Sequence, residues 1–151
     1  MDIQRIDTFN VIGIAVRTTN ENGQSSADIP ALWEKFMSLG LLEKIPNKLD
    51  SAIYCLYTDY EKDHTKPYTT LIGCRVAHLG SVPEGMIGKS FPAGNYLKRI
   101  AKGNLLQGIV FDEWTKIWQS DIPRAYTTDF EVYGEKARDP ENAAVDIWLS
   151  V

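Results

Sequence analysis

Apolar positions along this chain fall into two kinds of run, and the change from one to the other predicts its elements. "FNVIGIAVRTT" is a β-branched stretch closed by the turn formers of "NENGQSS", which predicts a strand over about residues 5–17. Beyond that loop Leu32, Trp33, Phe36, Met37 and Leu39 recur at helical spacings. Asp28 is placed to cap this helix, Pro30 suits its first turn and Gly40 stops it. "SAIYCLYTDY" and "YTTLIGCRVAHLG" then read as two strands of a hairpin whose polar tip is "EKDHTKP". A loop punctuated by Pro83, Gly85, Gly88, Pro92 and Gly94 follows, and the order starts again. "NYLKRIAK" is a strand, "LLQGIVFDEWTKIWQSD" a helix, and "DFEVYGEK" and "AVDIWLSV" two strands around "ARDPEN".

The two halves, about 1–80 and 81–151, can be laid over each other. "LWEKFMSLG" aligns on "EWTKIWQSD", which sets Trp33 on Trp114, and Tyr57–Val76 spans nearly what Tyr133–Val151 spans. The expected architecture is α+β: one domain of duplicated strand-helix-strand-strand modules, forming an antiparallel sheet with two helices on one face. Six strands spaced ~4.8 Å apart make a sheet roughly 25–30 Å wide, whereas two helices cover only about 20 Å of it. A central groove between the helices is the geometric consequence.

Composition narrows what such a groove could do. The chain has 151 residues, 44% of them hydrophobic and 24% charged, which suits one globular domain with a substantial core. A net charge of −4 argues against direct nucleic-acid binding, and the short apolar run at the start predicts neither a signal peptide nor a membrane span. A cytoplasmic protein is expected. Cys55 and Cys74 lie apart without C-x-x-C spacing, as reduced core thiols would. His64 and His78 lack metal-type spacing and read as solvated loop histidines. "TDYEKDH" lacks the glycine and distal glutamate of a calcium loop, and "GMIGKSF" lacks the glycine spacing of a phosphate loop and reads as a turn leading into a strand. No metal, cofactor or catalytic residue is therefore assigned.

The aromatics carry more information. Tyr and Trp outnumber Phe by 11 to 5, and both favour half-wet pockets because their polar atoms need partners. Strand alternation separates Asp129, Glu131 and Tyr133 from Phe130 and Val132. If the last hairpin pairs across "GEKARDPENAA", Glu131 lies opposite Trp148, with Tyr133 beside them. A carboxylate among aromatic rings, with no lysine or arginine evident in the adjoining strand, is a cation site in outline.

The pieces "NVIGIAVRTT", "ALWEKFMSLGLLEKIPN", "IYCLYTDYEKD", "PAGNYLKRIAKG", "FDEWTKIWQSD", "DFEVYGEKA" and "VDIWLSV", in this order, resemble the gyrase-inhibitor-like effector-binding domains. These are ligand-sensing parts of multidrug-responsive transcription regulators, and they also occur as standalone proteins, some on integron cassettes, which this chain looks like. The resemblance implies an aromatic pocket that accepts lipophilic cations against an acid in the penultimate strand, here Glu131. Tyr133 and Trp148 match its lining, and Trp33, Trp114 and Tyr96 correspond more loosely. Ser150 stands where relatives often carry proline. A regulator domain of this kind would partner a separate DNA-binding protein, and an exposed sheet face could equally support a homodimer. Two alternatives stay open at this point: a small-molecule hydrolase using Glu131, and a protein-inhibiting or adaptor domain docking through an exposed sheet face that bears Phe130 and Val132.

Overall fold

Eight strands form one antiparallel sheet in the computed structural model, which describes residues 2–151. In chain order the elements are β1 (Ile3–Ile6), β2 (Phe9–Thr18), α1 (Gln24–Ser38), α2 (Leu41–Lys44), β3 (Ile53–Thr58), β4 (Tyr68–Val76), β5 (Ile87–Phe91), β6 (Gly94–Gly103), α3 (Ile109–Trp118), β7 (Thr128–Tyr133) and β8 (Ala143–Ser150). Across the sheet the order is β1-β6-β8-β7-β3-β4-β2-β5. The expected strand-helix-strand-strand units lie side by side as β2-α1-β3-β4 and β6-α3-β7-β8, joined at β3 and β7. The two additional strands are exchanged: β1 leads into β2 but pairs with β6, and β5 leads into β6 but pairs with β2.

Three local expectations need correction. The stretch Ser81–Gly94, read as a loop, contains β5, whose Phe91 is in register with Phe9. Helix α1 begins at Gln24, after Gly23 in the left-handed region (φ 69°), so Asp28 does not cap it and Pro30 lies inside it. The Asp28 carboxylate instead accepts hydrogen bonds from Thr18 Oγ1 (2.9 Å) and Gln24 Nε2 (3.0 Å), tying the helix to the end of β2. Polar residues at a helix start and residues in a loop look alike in sequence, because serine and glutamine are tolerated in both.

Both faces of the sheet are packed. On one, α1 and α3 cover Ile12, Ile14, Cys55 and Ile72 in the first half and Val145, Ile147 and Leu149 in the second. On the other, Phe9, Tyr54, Leu56, Phe91, Tyr96 and Phe130 form a core of their own. The Phe9 and Phe130 rings lie 5.4 Å apart although two strands separate β2 from β7. Flat strands would set those backbones about 14 Å apart, so the sheet curls toward this face. Phe130 is 4% exposed, and the expected docking face bearing it is therefore largely interior. No helix among the described residues is long and apolar enough to cross a membrane.

Cys55 and Cys74 are buried free thiols, and burial raises both pKa values, that of Cys74 to about 11. Because the thiolate is the reactive form, a thiol-reactive disulfide reagent should label neither in the native protein at pH 8 and both in denaturant. Rapid native labelling of either one would refute this packing.

Candidate functional site

The central pair of strands sets the site. Aligning Tyr57 on Tyr133 sets Cys55 on Glu131, and these two residues face each other in the β3–β7 ladder. The approximate two-fold axis relating the halves thus passes between a thiol on one side and a carboxylate on the other. The equivalent tyrosines on either side both turn to the one carboxylate. Tyr57 Oη donates to Glu131 Oε2 at 2.8 Å and Tyr133 Oη donates to Oε1 at 2.7 Å. Trp114, reaching down from α3, donates its Nε1–H to Oε2 at 2.6 Å.

Glu131 is 2% exposed, and among the described residues no lysine or arginine forms an ion pair with it. Burial pushes its carboxyl above the usual carboxylate range, and the bonds from Tyr133, Trp114 and Tyr57 pull in the other direction. Burial and neighbouring acidic groups hold the Tyr57 and Tyr133 phenols well above their ordinary value, so both remain donors across the working pH range. The result is an acid held rigidly and hydrogen-bonded, without a counter-charge.

Above Glu131 a pocket of about 490 Å³ opens between α1 and α3. Trp33 on α1 meets Tyr133 edge to face at 4.9 Å, and Trp114 on α3 meets Tyr57 the same way at 5.5 Å. Tyr60, Tyr68 and Trp118 extend the aromatic wall, and Phe111, 64% exposed, stands on its rim. That volume lies within the range of small-molecule sites, which are typically ~300–1,000 Å³.

Four of the residues expected in the site, Glu131, Tyr133, Trp33 and Trp114, meet in this pocket. Trp148 and Tyr96 do not. In the last hairpin Phe130 pairs with Trp148 and Glu131 with Ile147, one residue away from the expected register. A slip of one exchanges the faces of a strand, so Trp148 lies on the side away from the helices, stacked against Phe130 at 6.3 Å. The connection contains two short 3-10 turns, Glu135–Ala137 and Pro140–Asn142, whose geometry a residue count does not anticipate. Tyr96 is 3% exposed and packs edge to face against Phe130 at 5.5 Å.

Other pocket residues escaped the sequence reading. His64 is not a solvated tip residue: its ring stacks on Trp118 at 5.3 Å, its Nδ1 lies 3.2 Å from Tyr126 Oη, and burial lowers its pKa. Arg124, in the segment between α3 and β7, also lines the pocket. Tyr57 was recoverable, since the repeat sets it on Tyr133. His64 and Arg124 lie in irregular segments, where no periodicity indicates which way a side chain turns.

A curled antiparallel sheet with paired helices flanking an aromatic pocket is the architecture of an effector-binding domain, the class that the sequence resembles. More particularly, the chain belongs to the Cass2 family of integron-associated effector-binding proteins, whose model matches residues 2–151. It is similar to the integron cassette protein VCH_CASS2 from the mobile metagenome of Vibrio cholerae, with 33% identity over 99% of this chain and 94% of that one and a TM-score of 0.76. YobU of Bacillus subtilis (strain 168), whose name places it among transcriptional regulators, is 27% identical over 99% of this chain and 96% of YobU. SAV2435, solved bound to tetraphenylphosphonium, shares the fold at 16% identity, with a TM-score of 0.79 over 99% of this chain and 92% of that one.

Proposed function

We propose that this protein binds lipophilic, aromatic cations between α1 and α3, with Glu131 as their counter-charge, and that it serves as a ligand-sensing or ligand-sequestering module. The observation that carries the reading is a carboxylate 2% exposed, without an ion-pair partner among the described residues, at the buried end of an aromatic pocket. A cation there would relieve the desolvation penalty on Glu131 and gain attraction from the faces of Trp33, Trp114 and Tyr133. The likeness of fold to a structure holding tetraphenylphosphonium supports the ligand class. A sensing role calls for a separate DNA-binding protein as the partner. Hydrolysis fits less well, since the Glu131 oxygens already accept three hydrogen bonds and have little capacity left to take a proton from water.

Titration with tetraphenylphosphonium, followed by tryptophan fluorescence, tests the proposal. Saturable quenching is the expected result, because Trp33, Trp114 and Trp118 all line the pocket. A neutral isostere such as tetraphenylmethane derivatised for solubility should bind much more weakly. Equal binding of the neutral and charged compounds would refute the cation reading.

A further inference from the structure

The face of the sheet turned away from the helices holds a second cavity, of about 290 Å³. The buried rings of Phe9, Tyr54 and Phe130 and the half-buried ring of Trp148 line it. They form one continuous aromatic surface: Phe130 lies 5.4 Å from Phe9, 6.2 Å from Tyr54 and 6.3 Å from Trp148. Two charged side chains, Arg75 on β4 and Asp146 on β8, also line the cavity, from strands three places apart in the sheet. They differ in one respect. Asp146 is matched by Lys98 at 3.6 Å, whereas Arg75 has no carboxylate within ion-pair distance among the described residues. Its Nε is covered and without a hydrogen-bond partner, while Nη1 and Nη2, equally without one, are not covered.

The surroundings hold this guanidinium without using it. Its central carbon lies 5.5 Å from the Phe9 ring centroid. Burial, with Asp50 beside it, pushes the Tyr54 phenol up to about 12, and Arg75 works against that shift from close by. Asp50 itself is exposed, and its carboxylate is taken up by Tyr54 Oη at 2.9 Å and the Ala52 N–H at 3.0 Å. A half-buried cation packed on a ring, with its outer edge unpaired, has capacity for an anion that the fold does not fill.

We propose that this cavity is a second ligand site and that it takes an aryl carboxylate, with the ring on the aromatic surface of Phe9, Phe130 and Trp148 and the carboxylate on the outer edge of Arg75. The inference is independent of the cation reading of Glu131. Off the end of a guanidinium, Nη1 and Nη2 each direct one N–H the same way, at a spacing that matches the two oxygens of a carboxylate. A cation fits less well, because Asp146 is already paired and Lys98 itself lies 5.5 Å from the Trp148 ring centroid. A protein partner fits less well too, since Phe9, Phe130 and Tyr54 are only 4%, 4% and 7% exposed and offer a recessed floor rather than a surface patch. A volume of about 290 Å³ is at the small end of ligand sites and suits a compact ring system. The two sites lie back to back on β7, with Phe130 facing this one and Glu131 the other.

The test compares 2-naphthoate with its neutral amide, 2-naphthamide, by isothermal titration and by the indole N–H signals of ¹⁵N-labelled protein, with Trp148 assigned through Trp148→Phe. The naphthoate should bind saturably, with the largest signal change on Trp148, and the amide should bind about tenfold more weakly or worse, as loss of a charge-assisted bidentate contact implies. Arg75→Gln, checked for folding by circular dichroism, should bring the acid level with the amide. If it does not fold, Arg75→Lys carries the test: it keeps the charge but loses the parallel pair of donors, and should bind the naphthoate at least about threefold more weakly. No saturable binding of the naphthoate, equal binding of acid and amide, or an affinity unchanged by the folded Arg75 variant would each overturn the assignment. So would the largest changes falling on Trp33, Trp114 and Trp118, which line the other pocket. An affinity that falls as protein concentration rises would place a second copy of the chain in the cavity and overturn it as well.

Discussion

Replacing Glu131 with glutamine weakens binding of tetraphenylphosphonium roughly 30-fold at neutral pH, with the fold retained. The loss follows from one charge pair: at a separation of ~4–6 Å and an effective dielectric of about 20 the attraction is roughly 3–4 kcal/mol. Part of that is offset by the hydration the cation loses on entering the pocket, leaving about 2 kcal/mol. Glutamine preserves the shape and still accepts from Tyr57, Tyr133 or Trp114, so the tryptophan environment should change little. Isothermal titration of the two proteins gives the ratio. A variant within threefold of wild type would remove Glu131 from the mechanism.

The same group predicts pH dependence of two kinds. A cation favours the carboxylate, so wild-type affinity should fall as pH drops through the raised pKa of Glu131, above the ordinary 4.5, and binding below that point should take place with proton release. His64, also in the pocket lining, becomes cationic below its own lowered pKa and adds repulsion; that slope remains in Glu131→Gln, which separates the two. For stability the sign is opposite to that of a salt-bridged acid. A folded pKa above the unfolded one means that the folded state gains relative stability at low pH and loses it as pH rises from the unfolded value to the folded one. Glu131→Gln should therefore be at least as stable as wild type at pH 7, measured by urea unfolding. That is the stability–function trade-off expected of a buried binding acid.

Gly13→Ala is expected to cost about 3 kcal/mol or more of stability, or to prevent folding. Gly13 and Gly73 face each other in the β2–β4 ladder, and a Cβ on Gly13 would lie 2.0 Å from the Ile72 carbonyl oxygen; one on Gly73 would lie 2.1 Å from that of Ile12. Those contacts are with backbone, so relief requires the two strands to part. Parting them would reduce the curl that brings Phe9 onto Phe130 and would leave Leu71 and Phe91 less covered. Gly134→Ala is the control, since its Cβ meets only the Ala52 methyl at 3.7 Å, an ordinary contact. The control should change stability by less than about 1 kcal/mol. Thermal unfolding of both variants decides the matter: a Gly13→Ala protein as stable as Gly134→Ala would mean that the strands do not approach as closely as described.

How much of this was legible in the sequence differs between periodic and irregular segments. Alternation in "DFEVYGEK" separates Glu131 and Tyr133 from Phe130 whatever the rest of the chain does, because the strand period is fixed by backbone geometry. The helical stripe that carries Trp33, and its counterpart with Trp114, follow from the 3.6-residue period in the same way. The repeat set one half on the other and anticipated the groove between two helices. Chain-local chemistry thus determined the α+β class, the strand-helix-strand-strand order of each half and four of the pocket residues.

Tertiary structure decided the rest. Which strand edge each terminal stretch joins depends on partners far along the chain, so β1 and β5 exchanging halves could not be read from local pattern. The register of the last hairpin depends on the turn that closes it, and a shift of one residue moved Trp148 across the sheet. The curl turned the face with Phe130, which alternation alone would leave to solvent, into a second core. Arg124 and His64 reach the pocket from segments with no period at all; their direction is set by the rings and carboxylate they pack against, and those meet only when the chain is folded.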